Sequence, residues 1–155
     1  MTSAEELHSA QPPRTTYLVK QLELAVRAAM DAITGEFGVT SLQYTALSVL
    51  ARHPGLSAAQ MAKRSFVSAQ AGNEMVKILE RKGLVARTPD ARNRHIRRIK
   101  LTSAGEAVLI RCDVLIDQME TRMLTPLRPA DVAALREALD ACVRSLAGPA
   151  TRVSR

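Results

Sequence analysis

The segment LSAAQMAKRSFVSAQAGNEMVKILERKGLVARTPDARNRHIRRIKL, residues 56–101, decides the fold. Ser57-Ala58-Ala59-Gln60 has the form of a capping box, in which the serine hydroxyl accepts from the Gln60 amide and the Gln60 side chain reaches back. A helix starts there, with Met61 and Ala62 on its buried side. Lys63 and Arg64 fall in its last turn, where cations suit the negative end of the helix dipole. After the break Ser65-Phe66-Val67, Ser68 is a second N-cap, and Met75, Val76, Leu79 and Leu84 follow at spacings close to helical. Gly83 ends that helix from the C′ position. Val85 to Thr88 and His95 to Leu101 have strand composition, with Ile99 and Leu101 on one face and Arg98 and Lys100 on the other. Between them, Pro89 to Arg94 is a turn by composition. Two short helices, then two strands around a charged turn, is the order of a winged helix-turn-helix.

Outside this segment the chain is helical by periodicity. A helix from Thr15 carries Leu18, Leu22, Ala25, Val26, Ala29 and Ile33 as a stripe and ends near Gly35. Ser41 caps a second helix, whose Leu42, Thr45, Ala46, Val49 and Leu50 lean inward until His53-Pro54-Gly55 stops it. Ser103-Ala104-Gly105-Glu106 reads as another capping box, opening a long helix with Val108, Cys112, Leu115, Met119 and Met123 on one side. Thr125 to Pro129 breaks it, and a last helix from about Ala130 to Leu146 aligns Val132, Leu135, Leu139, Val143 and Leu146 before Gly148-Pro149. The predicted fold is therefore mainly α with a small β-wing. A flexible arm spans residues 1–14, dimerisation helices 15–38 and 103–147, the winged helix-turn-helix 39–102, and a flexible tail 148–155. The first helix and the last two hold more apolar surface than so small a head covers. A homodimer follows, with a monomeric bundle packed on its own head as the alternative.

At 155 residues the chain suits one domain with a real core, and its net charge of +7 suits a polyanion. Nucleic acid fits better than a membrane, because no apolar run approaches the roughly 20 residues of a spanning helix. The start Met1-Thr2-Ser3-Ala4-Glu5-Glu6 lacks the basic opening of a signal peptide, so a cytoplasmic protein is expected. His8, His53 and His95 are too far apart for a metal site, and no cofactor is assigned. Cys112 and Cys142 both fall on apolar helical faces and read as buried thiols. Nothing resembles an activated nucleophile or a catalytic carboxylate pair, which argues against an enzyme.

A helix in the major groove meets base edges with its first turns, so Ser68, Gln70 and Asn73 are the candidate readers and Lys77 reaches guanine or a phosphate. The plainer alternatives are that Ser68 only caps and that Asn73 is only solvated. Arg92 and Arg94, at the tip of a ribbon with Arg87, Arg97, Arg98 and Lys100 nearby, suit an A·T-rich minor groove, whose negative potential attracts guanidinium groups. Asp90 is out of place on a phosphate-facing surface, so it is expected to bind a neighbouring arginine and shape the tip.

The run Leu79-Glu80-Arg81-Lys82-Gly83-Leu84-Val85, followed by Asp90, Arg92 and Arg94 and by Leu101-Thr102-Ser103-Ala104-Gly105, resembles the MarR family of transcriptional regulators. The likeness covers nearly the whole chain. It departs in the recognition helix, where this chain has Gly72 and Glu74 in place of a small polar or aliphatic residue and an arginine. The resemblance implies a homodimer on a double-stranded, pseudo-palindromic operator, a repressor released by a small aromatic or amphipathic effector, and the structural role of Asp90 in the wing. It also points to Tyr44, after Gln43 on the second helix, as an effector-lining residue, to which Arg111 offers a counter-charge. Core packing of Tyr44 is the plainer alternative. A redox-switched regulator using Cys112 or Cys142 and a weakly specific architectural DNA-binding protein remain as competing functions.

Overall fold

A computed structural model describes residues 12–147. The expected arm and tail, residues 1–14 and 148–155, lie outside the described residues except for 12–14. Within the described residues the order is α1 (Thr15–Gly35), α2 (Ser41–Arg52), α3 (Ala58–Arg64), α4 (Ala69–Arg81), β1 (Val85–Pro89), β2 (Arg97–Leu101), α5 (Ser103–Leu124) and α6 (Pro129–Ala147). The chain divides into two compact units, Met1–Ile116 and Asp117–Arg155. Length alone suggested one; α5 runs on past the end of the core that its first turns help to build.

That core lies in the first unit. It takes Ala46, Leu47 and Leu50 from α2, Met61 from α3, Met75, Val76 and Leu79 from α4, Val85 and Ile99 from the sheet, and Val108, Leu109 and Cys112 from α5. The inward side of α2 is thus rotated from the expected one. Leu42 is 52% exposed, whereas Leu47, which the stripe omitted, is fully buried.

The helix starts also move by one residue at two places. Thr40, not Ser41, caps α2: its hydroxyl accepts from the Gln43 amide while Gln43 Oε1 accepts from the Thr40 amide. The box requires its glutamine three residues after the cap, and only Thr40 has that spacing. Before α5 it is Thr102 whose hydroxyl accepts from the Gly105 amide, at 3.1 Å, and no box with Glu106 forms. Gly105 must be glycine there, since a Cβ would stand 2.0 Å from the Leu84 carbonyl oxygen. The Ser57–Gln60 box and the Ser68 cap are as expected.

Gly83 closes α4 with φ +70. Its amide donates to the Glu80 carbonyl, and the Leu84 amide to that of Leu79. This paired closure reverses the chain into β1. The two strands pair antiparallel, Val85 against Leu101 through Pro89 against Arg97. His95 and Ile96, expected in the second strand, belong to the turn, because the Asp90 amide already donates to the Ile96 carbonyl at 2.8 Å and closes the loop. Leu56 adds an antiparallel bridge to Ile99, a pairing that two residues between helices do not announce.

Candidate nucleic-acid interface

The recognition helix is positioned by a close crossing. Gly72 is buried against α3, and a Cβ at that position would lie 2.4 Å from the Ala62 Cβ. Gly72 therefore faces the core, and this departure from the family pattern is a packing residue. Opposite it, Gln70, Asn73, Glu74 and Lys77 are exposed. Spacings of three and four set Gln70, Asn73 and Lys77 along one side of the helix. Lys77 Nζ stands 2.8 Å from Glu74 Oε1, and this contact holds the Glu74 carboxyl below its ordinary range. Ser68 also stands at the surface, but its hydroxyl accepts from the Ala71 amide at 3.2 Å, as a cap does.

The other end of α4 is tied down by a residue the sequence reading passed over. Lys82 Nζ donates to the Gly38 carbonyl at 2.7 Å and to Gln43 Oε1 at 2.9 Å. One glutamine side chain thus serves both the α2 cap and the end of the recognition helix.

In the wing, Asp90 organises the tip. Its Oδ1 accepts from the amides of Arg92 and Asn93 at 2.9 and 3.0 Å, and its Oδ2 accepts from Arg98 Nε at 2.7 Å. Arg98 further donates to the Gly55 carbonyl at 3.2 Å, which fastens the wing to the loop after α2. Arg98 is therefore a brace, and Arg87 Nε lies 3.1 Å from Glu80 Oε2. Two of the cations grouped with the wing are thus neutralised internally. Arg92 and Arg94 are exposed, with no acidic partner among the described residues.

The Arg98 contact, with help from the two amides, lowers the Asp90 pKa below the ordinary 3.8. A carboxylate whose folded pKa is depressed contributes stability above its unfolded pKa and loses it as pH falls through the lower, folded value. The wing tip is therefore expected to keep its form at pH 5 and to loosen only below 3.8. Amide NMR shifts of Arg92 and Asn93 followed in acid should place the midpoint there, and a midpoint above that value would contradict the arrangement.

Tyr44 and Arg111 are placed apart in their bonding. The Tyr44 hydroxyl donates to Asp113 Oδ1 at 2.7 Å, and burial, reinforced by that carboxylate, pushes its pKa up to about 12. Arg111 instead lies over the Phe37 ring, 5.4 Å from its centre, exposed and without an ion pair among the described residues. Two surface clefts of this unit, one of about 430 Å³ beside Leu50, Lys100 and Leu109 and one of about 490 Å³ between α1 and α2, are lined by neither residue.

Of the two cysteines, Cys112 is buried as expected and Cys142 is not. Cys112 is fully buried and burial raises its thiol pKa, which suppresses the thiolate that oxidation needs. Cys142 is exposed on α6, because the described residues leave the helix face that carries it uncovered.

Comparison with known proteins agrees with this geometry. PcaV of Streptomyces coelicolor, solved in complex with its natural ligand, superposes with a TM-score of 0.74 at 25% identity, over 84% of this chain and 92% of that one. The sequence model of the MarR family matches residues 37–94, which span α2 to the wing tip. Over that segment the chain is of MarR type. It is a DNA-binding transcriptional regulator of that type, and the relatives it resembles are transcriptional repressors, not enzymes. A family member from Mycobacterium tuberculosis, the HTH-type transcriptional repressor Rv2887, is 29% identical over 111 residues, covering 72% of this chain and 80% of that protein. Its complex with salicylic acid superposes with a TM-score of 0.68 at 26% identity, over 86% and 98% of the two chains. Bacillus subtilis MdtR, also an HTH-type transcriptional repressor, is 30% identical over 96 residues, 57% of this chain and 62% of that one. No helix among the described residues is long and apolar enough to cross a membrane.

Proposed function

We propose that this protein is a MarR-type repressor that binds a pseudo-palindromic operator as a homodimer and is released by a small aromatic acid. The observation that carries the DNA reading is a set of exposed polar and cationic groups on two elements of the head. Gln70, Asn73 and Lys77 lie along α4, and the unpaired Arg92 and Arg94 stand on a wing that Asp90 and Arg98 hold rigid. Gln and Asn match adenine edges, while the guanidinium groups suit the neighbouring minor groove.

Uncovered apolar side chains support the dimer. On α1, Leu18, Leu22 and Leu24 are exposed, and on α6, Leu139, Val143 and Leu146. A subunit that stays single rarely leaves so many large apolar groups uncovered on its helices. Two recognition helices related by a two-fold axis meet successive major grooves about 34–36 Å apart. A footprint on the protein's own promoter should therefore show two half-sites one helical turn apart. Inserting about half a turn of duplex between them should abolish high-affinity binding; full affinity after the insertion would refute the symmetric dimer.

The effector reading draws on the salicylic acid held by Rv2887 and on Arg111, whose guanidinium is free to meet a carboxylate. A ligand displaces DNA only if it binds the free protein more tightly than the complex. Phenolic acids should therefore weaken operator binding, and Tyr44→Ala should reduce that response more than it reduces DNA affinity. A titration in which a panel of such acids leaves operator affinity unchanged, or in which the variant responds like the parent, would remove the assignment.

A further inference from the structure

The turn between α3 and α4 contains an expensive residue. Phe66 is the one non-glycine residue with positive φ among the described residues, at 59°. The left-handed region disfavours any residue with a Cβ, and for a bulky aromatic it is an outlier. Its side chain is also 94% exposed, the highest value among the large apolar side chains described. The chain has only two phenylalanines, two tyrosines and no tryptophan. Backbone strain and an uncovered aromatic both work against folding, and such departures concentrate where function requires them.

Its neighbours fix where the ring goes. Ser65 is buried, with its amide donating to the carbonyls of Met61 and Ala62. Val67 packs against the core, with its amide on the Ala62 carbonyl at 3.1 Å. Held on both sides, the turn has no inward place for residue 66. Phe66 is two residues before Ser68, the cap of the recognition helix. When the first turns of such a helix enter the major groove, the preceding turn lies at the groove's edge beside the sugar–phosphate chain. A phenyl group has no hydrogen bond to give there and offers apolar area, for which the deoxyribose is the matching surface.

We propose that Phe66 packs on deoxyribose at the edge of the major groove, a sequence-independent contact that sets the depth of the recognition helix. The contact rests on the DNA-binding reading above and adds to it a residue that carries no charge and reads no base.

The test uses the full-length protein, the duplex footprinted on its own promoter, and a scrambled duplex of equal length. Phe66→Gly should raise the melting temperature, because glycine accepts the positive φ. It should also weaken binding to both duplexes by a similar factor, roughly tenfold for the apolar area lost. The log–log salt slope should not change, because an apolar contact releases no counterion. Phe66→Trp then gives a protein with a single tryptophan. It should be open to acrylamide quenching when free and shielded on either duplex. Unchanged affinity of Phe66→Gly, or a tryptophan equally quenched with and without DNA, would overturn the proposal. A loss confined to the promoter duplex would assign the ring to a base instead of a sugar, and shielding already present in the free protein would assign it to a second copy of the chain. Failure of the parent protein to bind either duplex would instead remove the DNA reading itself, and the parent control separates the two cases.

Discussion

Replacing Arg92 and Arg94 together with alanine should weaken binding to every DNA sequence and flatten its dependence on salt. Each guanidinium that contacts a phosphate releases condensed counterions, worth about 0.9 in the slope of log affinity against log salt. The proposed dimer places four such groups on DNA, so the slope should fall by up to about 3.6. Charge-assisted hydrogen bonds of this kind contribute about 1.5–3 kcal/mol each, so roughly tenfold or more in affinity should go with each group. Stability should scarcely move, because both side chains are exposed and Asp90 shapes the tip through backbone amides that alanine retains. Titrations at several salt concentrations decide the matter: a parallel line for the double variant would mean that the wing tip does not touch the backbone.

The second large effect concerns stability. A Cβ on residue 72 would meet the Ala62 Cβ at 2.4 Å, the Ala62 Cα at 3.2 Å and the Ala58 carbonyl oxygen at 3.3 Å. Two helices cannot separate by that much without opening the core around Met61, Met75 and Val76. Gly72→Ala should therefore destabilise the protein by about 3 kcal/mol, at the upper end of ordinary overpacking. Removing the opposing methyl in Ala62→Gly should recover much of this, less the roughly 1 kcal/mol that a glycine costs inside a helix. Thermal melts of the parent, the two single variants and the double variant form a cycle whose coupling measures the crossing itself. Additive effects would mean that the two residues do not press on each other.

Much of this architecture was legible from local chemistry. The Ser57–Gln60 box, the Ser68 cap, the glycine at 83 and the alternation of Ile99 with Arg98 each act over a few residues, so their signals lie close together in the chain. What escaped depended on distant partners or on a choice between neighbours. Thr40-Ser41 and Thr102-Ser103 each offer two hydroxyls in a row; the first is matched by Gln43 in one case and held by the Leu84 and Gly83 carbonyls in the other. Leu42 and Leu47 are equally apolar, and which faces inward depends on how α2 rolls against its neighbours. Gly72 had no local sign as a packing residue, because its partner, Ala62, approaches only in the folded chain. Arg98 looked like another cation for DNA because a sequence does not show that Asp90 and the Gly55 carbonyl already hold it. The link from Lys82 to Gln43 spans 39 residues and had no local sign.

That link also bears on how such a protein changes its target. The recognition helix is held by its cap, by the crossing at Gly72 and by Lys82, none of which involves Gln70 or Asn73, whose side chains form no hydrogen bonds among the described residues. What holds the helix is therefore separate from the two residues proposed to read the sequence. Duplicated copies of such a gene can drift to new binding sites by exchanging two outward side chains, with no penalty in folding to slow the divergence.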